Sequence, residues 1–126
     1  MAMIISVSLA GCVKSSNEPR DNVDDKVKVV VDRCDFQRSF GTFDAQMLIV
    51  LSLTSKDGKS HSVTLDWEAG TKDGTVFAAE TEYGLRVNPG KALKGSLTAD
   101  LDRGISEATV EGAGTYVCRV TSVRVN

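Results

Sequence analysis

The chain has 126 residues, 41% hydrophobic and 25% charged, which is room for one hydrophobic core and not two. It carries 15 Lys and Arg against 17 Asp and Glu, a net charge of −2, which excludes the broad basic field that phosphate-driven nucleic-acid binding requires. A lone histidine excludes a metal site built on several imidazoles, and 6% aromatic content leaves too few rings for a base-stacking platform.

Residues 1–11 are uncharged and mostly apolar. Such a run is too short for a membrane-spanning helix, which needs roughly 20 residues, but it suits the hydrophobic region of a secretory signal. No Lys or Arg precedes it, so either a start upstream of Met1 or a truncated chain is expected. The four residues Leu9-Ala10-Gly11-Cys12 resemble a bacterial lipobox, a branched apolar residue and two small ones before cysteine. The resemblance implies that the Cys12 thiol receives a diacylglycerol, that residues 1–11 are removed, and that the acyl chains anchor the protein to a membrane. The alternative is a buried first strand with an incidental cysteine. Residues 12–26 are polar, contain Pro19 and carry four acids to three bases. Such a stretch buries too little apolar surface to offset its ordering entropy, and its charge balance is not that of a polybasic lipid binder. It reads as a flexible tether.

From residue 27 to 126 the pattern has period two. Lys26 to Phe36 is rich in β-branched residues and predicts a first strand. Ala45 to Thr54 predicts a central strand with Met47, Ile49, Leu51 and Leu53 on one face and Leu48 and Val50 on the other. Lys56-Asp57-Gly58-Lys59 is a turn signal, after which His61, Val63, Leu65 and Trp67 alternate with Ser62, Thr64 and Asp66. Trp67 is the natural core anchor. A turn at Lys72-Asp73-Gly74, a strand near Thr75 to Tyr83, a turn at Asn88-Pro89-Gly90 and a strand through Leu93, Leu97 and Leu101 follow. Asp102 to Gly112 shows no period, though Ile105 to Val110 could hide a short helix or strand. Thr115 to Val125 predicts a last strand with Tyr116, Cys118, Val120 and Ser122 on one face, Tyr116 serving as a second core anchor. Strands at this spacing predict an all-β fold, an antiparallel β-sandwich of about seven strands.

With Cys12 lipidated, Cys34 and Cys118 remain as a pair, the even count expected in an oxidising compartment. They read as a disulfide joining the first and last strands, across the sandwich or between neighbouring edges; two buried free thiols are the alternative.

One further pattern spans Val27 to Val125: a valine-rich strand, Leu51 to Lys59 with its Asp57-Gly58 turn, Ser62 to Glu68 through Trp67, Asp73 to Phe77, Val87-Asn88-Pro89-Gly90-Lys91, and the cysteine strand Tyr116 to Val125. This order resembles the FxLYD-like, telokin-like immunoglobulin-like domains of Gram-positive, actinobacterial-type surface lipoproteins. The resemblance implies an immunoglobulin-like sandwich at a cell surface and says nothing of its ligand.

Chemistry is sparse. A Ser–His–acid set could combine His61 with Asp57 or Asp66, but alternation puts Asp66 and His61 on opposite faces, and no nucleophile elbow occurs. The pairs Glu80/Glu82 and Asp100/Asp102 each share a strand face, as a hard cation or a glycosidase would need, yet solvated strand faces commonly carry such pairs. No catalytic set, metal site or cofactor is expected. The expected function is a lipid-anchored, non-enzymatic binding or adhesion module outside the cytoplasm. It would act as a monomer on a protein or envelope component, at the periplasmic or cell-surface face of the membrane. The alternatives are a prophage-encoded exclusion factor or hydrolase inhibitor, and an unrecognised hydrolase.

Overall fold

Residues 23–126 are described by a computed structural model; the proposed signal, Cys12 and most of the tether lie outside the described residues. Six strands and one helix follow in order: β1 (Val27–Gln37), β2 (Gln46–Ser55), β3 (His61–Gly70), β4 (Val76–Val87), β5 (Leu93–Asp100), α1 (Glu107–Ala113) and β6 (Val117–Val125). They build two antiparallel three-stranded sheets, ordered β1-β2-β5 and β4-β3-β6, packed face to face as a β-sandwich. The central strands β2 and β3 carry the densest apolar alternation, as each needs partners on both edges. Met47, Ile49, Leu53, Val63 and Leu65 are fully buried, and Trp67, 1% exposed, is the largest of the fully buried side chains.

Two irregularities decide which residues face inward. In β1 the register with β2 shifts between Val31 and Arg33, so Val27, Val29 and Val31 share the inner face with Cys34 and Phe36. Asp32 is the extra residue, and its carboxylate accepts a hydrogen bond from Ser52 Oγ at 3.0 Å. Because side chains alternate, a strand without this bulge would turn Cys34 outward and Arg33 into the core. The bulge aims the sulfur: Cys34 on β1 is bonded to Cys118 on β6, across the sandwich, with Cα atoms 5.5 Å apart. In β6 the register with β3 shifts between Asp66 and Trp67. The inward set is therefore Cys118, Val120 and Val123, while Ser122 lies opposite Asp66 and donates nothing to the core. This corrects the expected face, in which Ser122 followed Val120. Tyr116 also departs from expectation. It precedes β6, is only partly buried, and packs its ring 6.2 Å from Phe36 at the rim of the core.

The fold begins earlier than the tether was expected to end. Val23 bridges Val123 in parallel and Asp24 N–H donates to Val123 O at 2.9 Å, covering the outer edge of β6. Lys56 N–H then donates to Lys26 O, and β1 crosses to the other sheet. At the far end of β3, a Cβ added to Gly70 would lie 1.7 Å from Thr75 O, so the position where β3 turns into β4 admits no side chain. The two poles of the sandwich are thus distinct. The chain enters at one, beside the β2–β3 and β4–β5 turns; the β1–β2 and β3–β4 turns and α1 lie at the other.

Candidate functional site

The pole opposite the chain entry carries the feature most unlike an ordinary surface. Between β1 and β2, Phe40 N–H donates to Phe43 O at 3.0 Å and Phe43 N–H to Phe40 O at 2.9 Å, closing a tip whose inner residues are Gly41 and Thr42. Gly41 takes φ +60°, a conformation that L side chains rarely adopt and that the tight reversal needs. Two residues that exchange both backbone bonds put their side chains on one face. Both rings stand in solvent, Phe40 80% and Phe43 74% exposed. A phenylalanine side chain carries about 150 Å² or more, so the pair presents roughly 300 Å² of apolar surface, the scale of a functional patch on a monomer.

The tip is braced. Ser39 N–H and Oγ donate to the two oxygens of Glu107, at 3.2 and 2.6 Å, and Arg38 Nε pairs with Glu111 Oε2 at 2.8 Å. Glu107 and Glu111 lie four apart and so share one face of α1. Ser106 Oγ caps that helix on Thr109 N–H, Gly114 ends it in the left-handed conformation, and Val110, fully buried, pins it to the core. The Ser39 hydrogen bonds, with Arg38 nearby, hold the Glu107 carboxyl below its ordinary range. The segments at this pole carry Arg38, Lys72 and Arg103 against Asp44, Asp73, Asp102, Glu107 and Glu111, more acids than bases. The two rings thus form an apolar knob held on α1 by the Ser39–Glu107 and Arg38–Glu111 contacts.

Several of the residues singled out for chemistry are held in hydrogen bonds within the fold. His61 Nε2 lies 2.8 Å from Asp57 Oδ1, which also accepts from Lys59 N–H at 3.0 Å and from Ser55 Oγ at 3.1 Å. The imidazole contact, more than the others, lowers the Asp57 carboxyl to about 2. The stability it lends is complete above the ordinary carboxylate range and is lost as pH falls through about 2. Ser55 meets the acid rather than the imidazole, so the three are not in nucleophile–base–acid order; they staple the β2–β3 turn. Asp66 lies on the outer face of the sheet, as alternation predicts, and accepts from Thr81 Oγ1 at 2.5 Å and Arg124 Nη1 at 2.8 Å. These partners hold its carboxyl low. A shallow groove of about 670 Å³ opens there, lined by Asp66, Glu68, Thr81, Tyr83 and Thr121 among others. Of its carboxylates, Asp66 pairs with Arg124 and Glu68 with Arg119 at 3.6 Å, while Glu80 forms no ion pair among the described residues. Glu80 and Glu82 share a face of β4; burial, with the Glu80 charge adding to it, raises the Glu82 carboxyl. Asp100 accepts from Gln46 Nε2 at 3.0 Å. Among the described residues no three His, Cys, Asp or Glu side chains gather as a metal site would require.

Sequence reasoning did not reach Phe40 and Phe43. The signal available was the uncharged run Ser39 to Phe43 around Gly41, a turn flanked by two rings just outside the neighbouring strands. No family model, curated protein or solved structure matches this chain.

Proposed function

We propose that this protein is a lipid-anchored, non-enzymatic binding module that works outside the cytoplasm and grips a protein or envelope component with the Phe40/Phe43 tip. The exposed, braced ring pair carries the reading. Two phenylalanines do not supply the roughly 800 Å² per partner of a standard interface, so they act as the buried anchor of a larger contact made by a monomer. The disulfide suits an oxidising compartment, and the lipobox-like Leu9 to Cys12 supports an acyl anchor. The FxLYD-like resemblance supports the same setting. Acyl chains contribute about 0.8 kcal/mol per buried CH₂, so the anchor, not the polar tether, would carry the membrane affinity.

Two results test the two halves. Cys12→Ser should keep the fold and move the protein from the membrane fraction to the soluble one; retention of the variant on membranes in high salt would refute the anchor. Phe40→Ser with Phe43→Ser should leave the thermal midpoint within about 2 °C of the parent, since both rings are already in water. In pull-downs from envelope extracts, the species retained by the parent and by a Tyr83→Ser control should be missing from the double variant. Identical retention by all three would remove the tip from the function.

A further inference from the structure

The pole where the chain enters has the opposite character to the Phe40/Phe43 pole. Lys26, Lys56, Lys59, Arg86 and Lys91 converge there from four separate segments, against Asp24, Asp25 and Asp57. Two of those carboxylates are committed: Asp24 binds Lys26, through its backbone N–H at 2.9 Å and its ammonium at 3.7 Å, and Asp57 holds His61. Lys56, Lys59, Arg86 and Lys91 are exposed, and none forms an ion pair among the described residues. Their backbones form one scaffold. Lys56 N–H bonds Lys26 O at 2.8 Å, and Asp57 fixes the turn between Lys56 and Lys59. Ser60 Oγ donates to Asn88 Oδ1 at 2.9 Å, tying that turn to the one ending at Lys91. A chain of net charge −2 has thus gathered unpaired cations at one end, in fixed positions.

We infer that this basic pole docks on an anionic phospholipid surface and thereby stands the domain upright, with Phe40 and Phe43 pointing away from the membrane. The choice of a bilayer as occupant rests on the anchored reading above. From Cys12 to Val23 the chain advances eleven residues, which span at most about 40 Å, and it joins the fold at this pole. That reach keeps the pole near the surface but does not by itself set its orientation. Charge at contact does, because attraction to the headgroups fades within a Debye length of about 8 Å at physiological salt. Each cation in contact should raise partitioning about fivefold.

The test is vesicle flotation of the full chain carrying Cys12→Ser, with phosphatidylcholine vesicles compared with vesicles also containing phosphatidylglycerol. The readout is the ratio of retention on the two. The ratio should be large at low salt, approach one at high salt, and fall about a hundredfold in Lys56→Glu/Lys59→Glu/Lys91→Glu. Lys72→Glu/Arg103→Glu at the other pole should leave it near the parent value. The inference fails if the parent ratio is near one, if the triple variant matches the parent, or if both variants lose retention equally. It also fails if a duplex oligonucleotide outcompetes the vesicles, which would mark a general polyanion site. Mass spectrometry of the native protein for an acylated Cys12 reads the anchor separately, so either result stands without the other.

Discussion

Reduction of the Cys34–Cys118 bond should lower the thermal midpoint by roughly 15–20 °C without changing the monomer mass. The bond closes a loop of 84 residues, most of the fold. Restricting a loop of that length in the unfolded chain contributes about 4–5 kcal/mol in the loop-closure account, much of the 5–15 kcal/mol stability of a typical domain. In the native state the bond also joins β1, the edge of one sheet, to β6, the edge of the other. Once it is cut, the edges are held together by side-chain packing and by the backbone bond from Asp24 N–H to Val123 O just before β1. Calorimetry with and without reductant on the natively purified protein gives the difference directly. A shift of only a few degrees would mean that the bond adds little to the packing around it. A thiol assay finding two free cysteines would remove it altogether.

Trp67 should separate volume from polarity. Trp67→Ala is expected to cost about 3–5 kcal/mol, since the vacated space lies in β3, the middle strand of its sheet, where Leu65, Ala69 and Val120 are buried beside it. Trp67→Phe should cost much less, under about 1.5 kcal/mol. The indole Nε1 is buried and hydrogen-bonds no protein group among the described residues, so the native protein already carries the desolvation of that N–H. Phenylalanine keeps most of the ring and discards the orphan donor. Urea midpoints at unchanged m-value measure both variants; equal costs for the two would show that the N–H has a partner that matters.

How much of this was legible in the sequence follows the range of the interaction concerned. Turns set by a few adjacent residues, at Asp57-Gly58, Asp73-Gly74 and Pro89-Gly90, stand where their chemistry puts them, and so do the apolar faces of β2 and β3. The bulges at Asp32 and before Val123 were not legible, because an extra residue is defined only against a partner strand distant in sequence. Ser122 was misplaced for that reason. Helix α1 could not be told from a short strand, because seven residues with one buried position, Val110, leave no period to read. The knob was hidden differently. Apolar residues beside a strand ordinarily face the core, and nothing in Phe40 or Phe43 alone reveals that their turn leaves both rings in solvent.

The 84-residue bridge has a consequence for proteolysis. Every loop at the Phe40/Phe43 pole, and both turns after Ser55 and Val87, lie between Cys34 and Cys118. A single cut in any of them, the exposed tip included, yields two pieces that each keep one of the bonded cysteines. Neither piece leaves. A protease acting on the projecting end would nick the molecule without shedding it, and whatever holds the N-terminal segment would still hold the whole. Release requires a cut before Cys34, in the segment leading into β1, or a reductant.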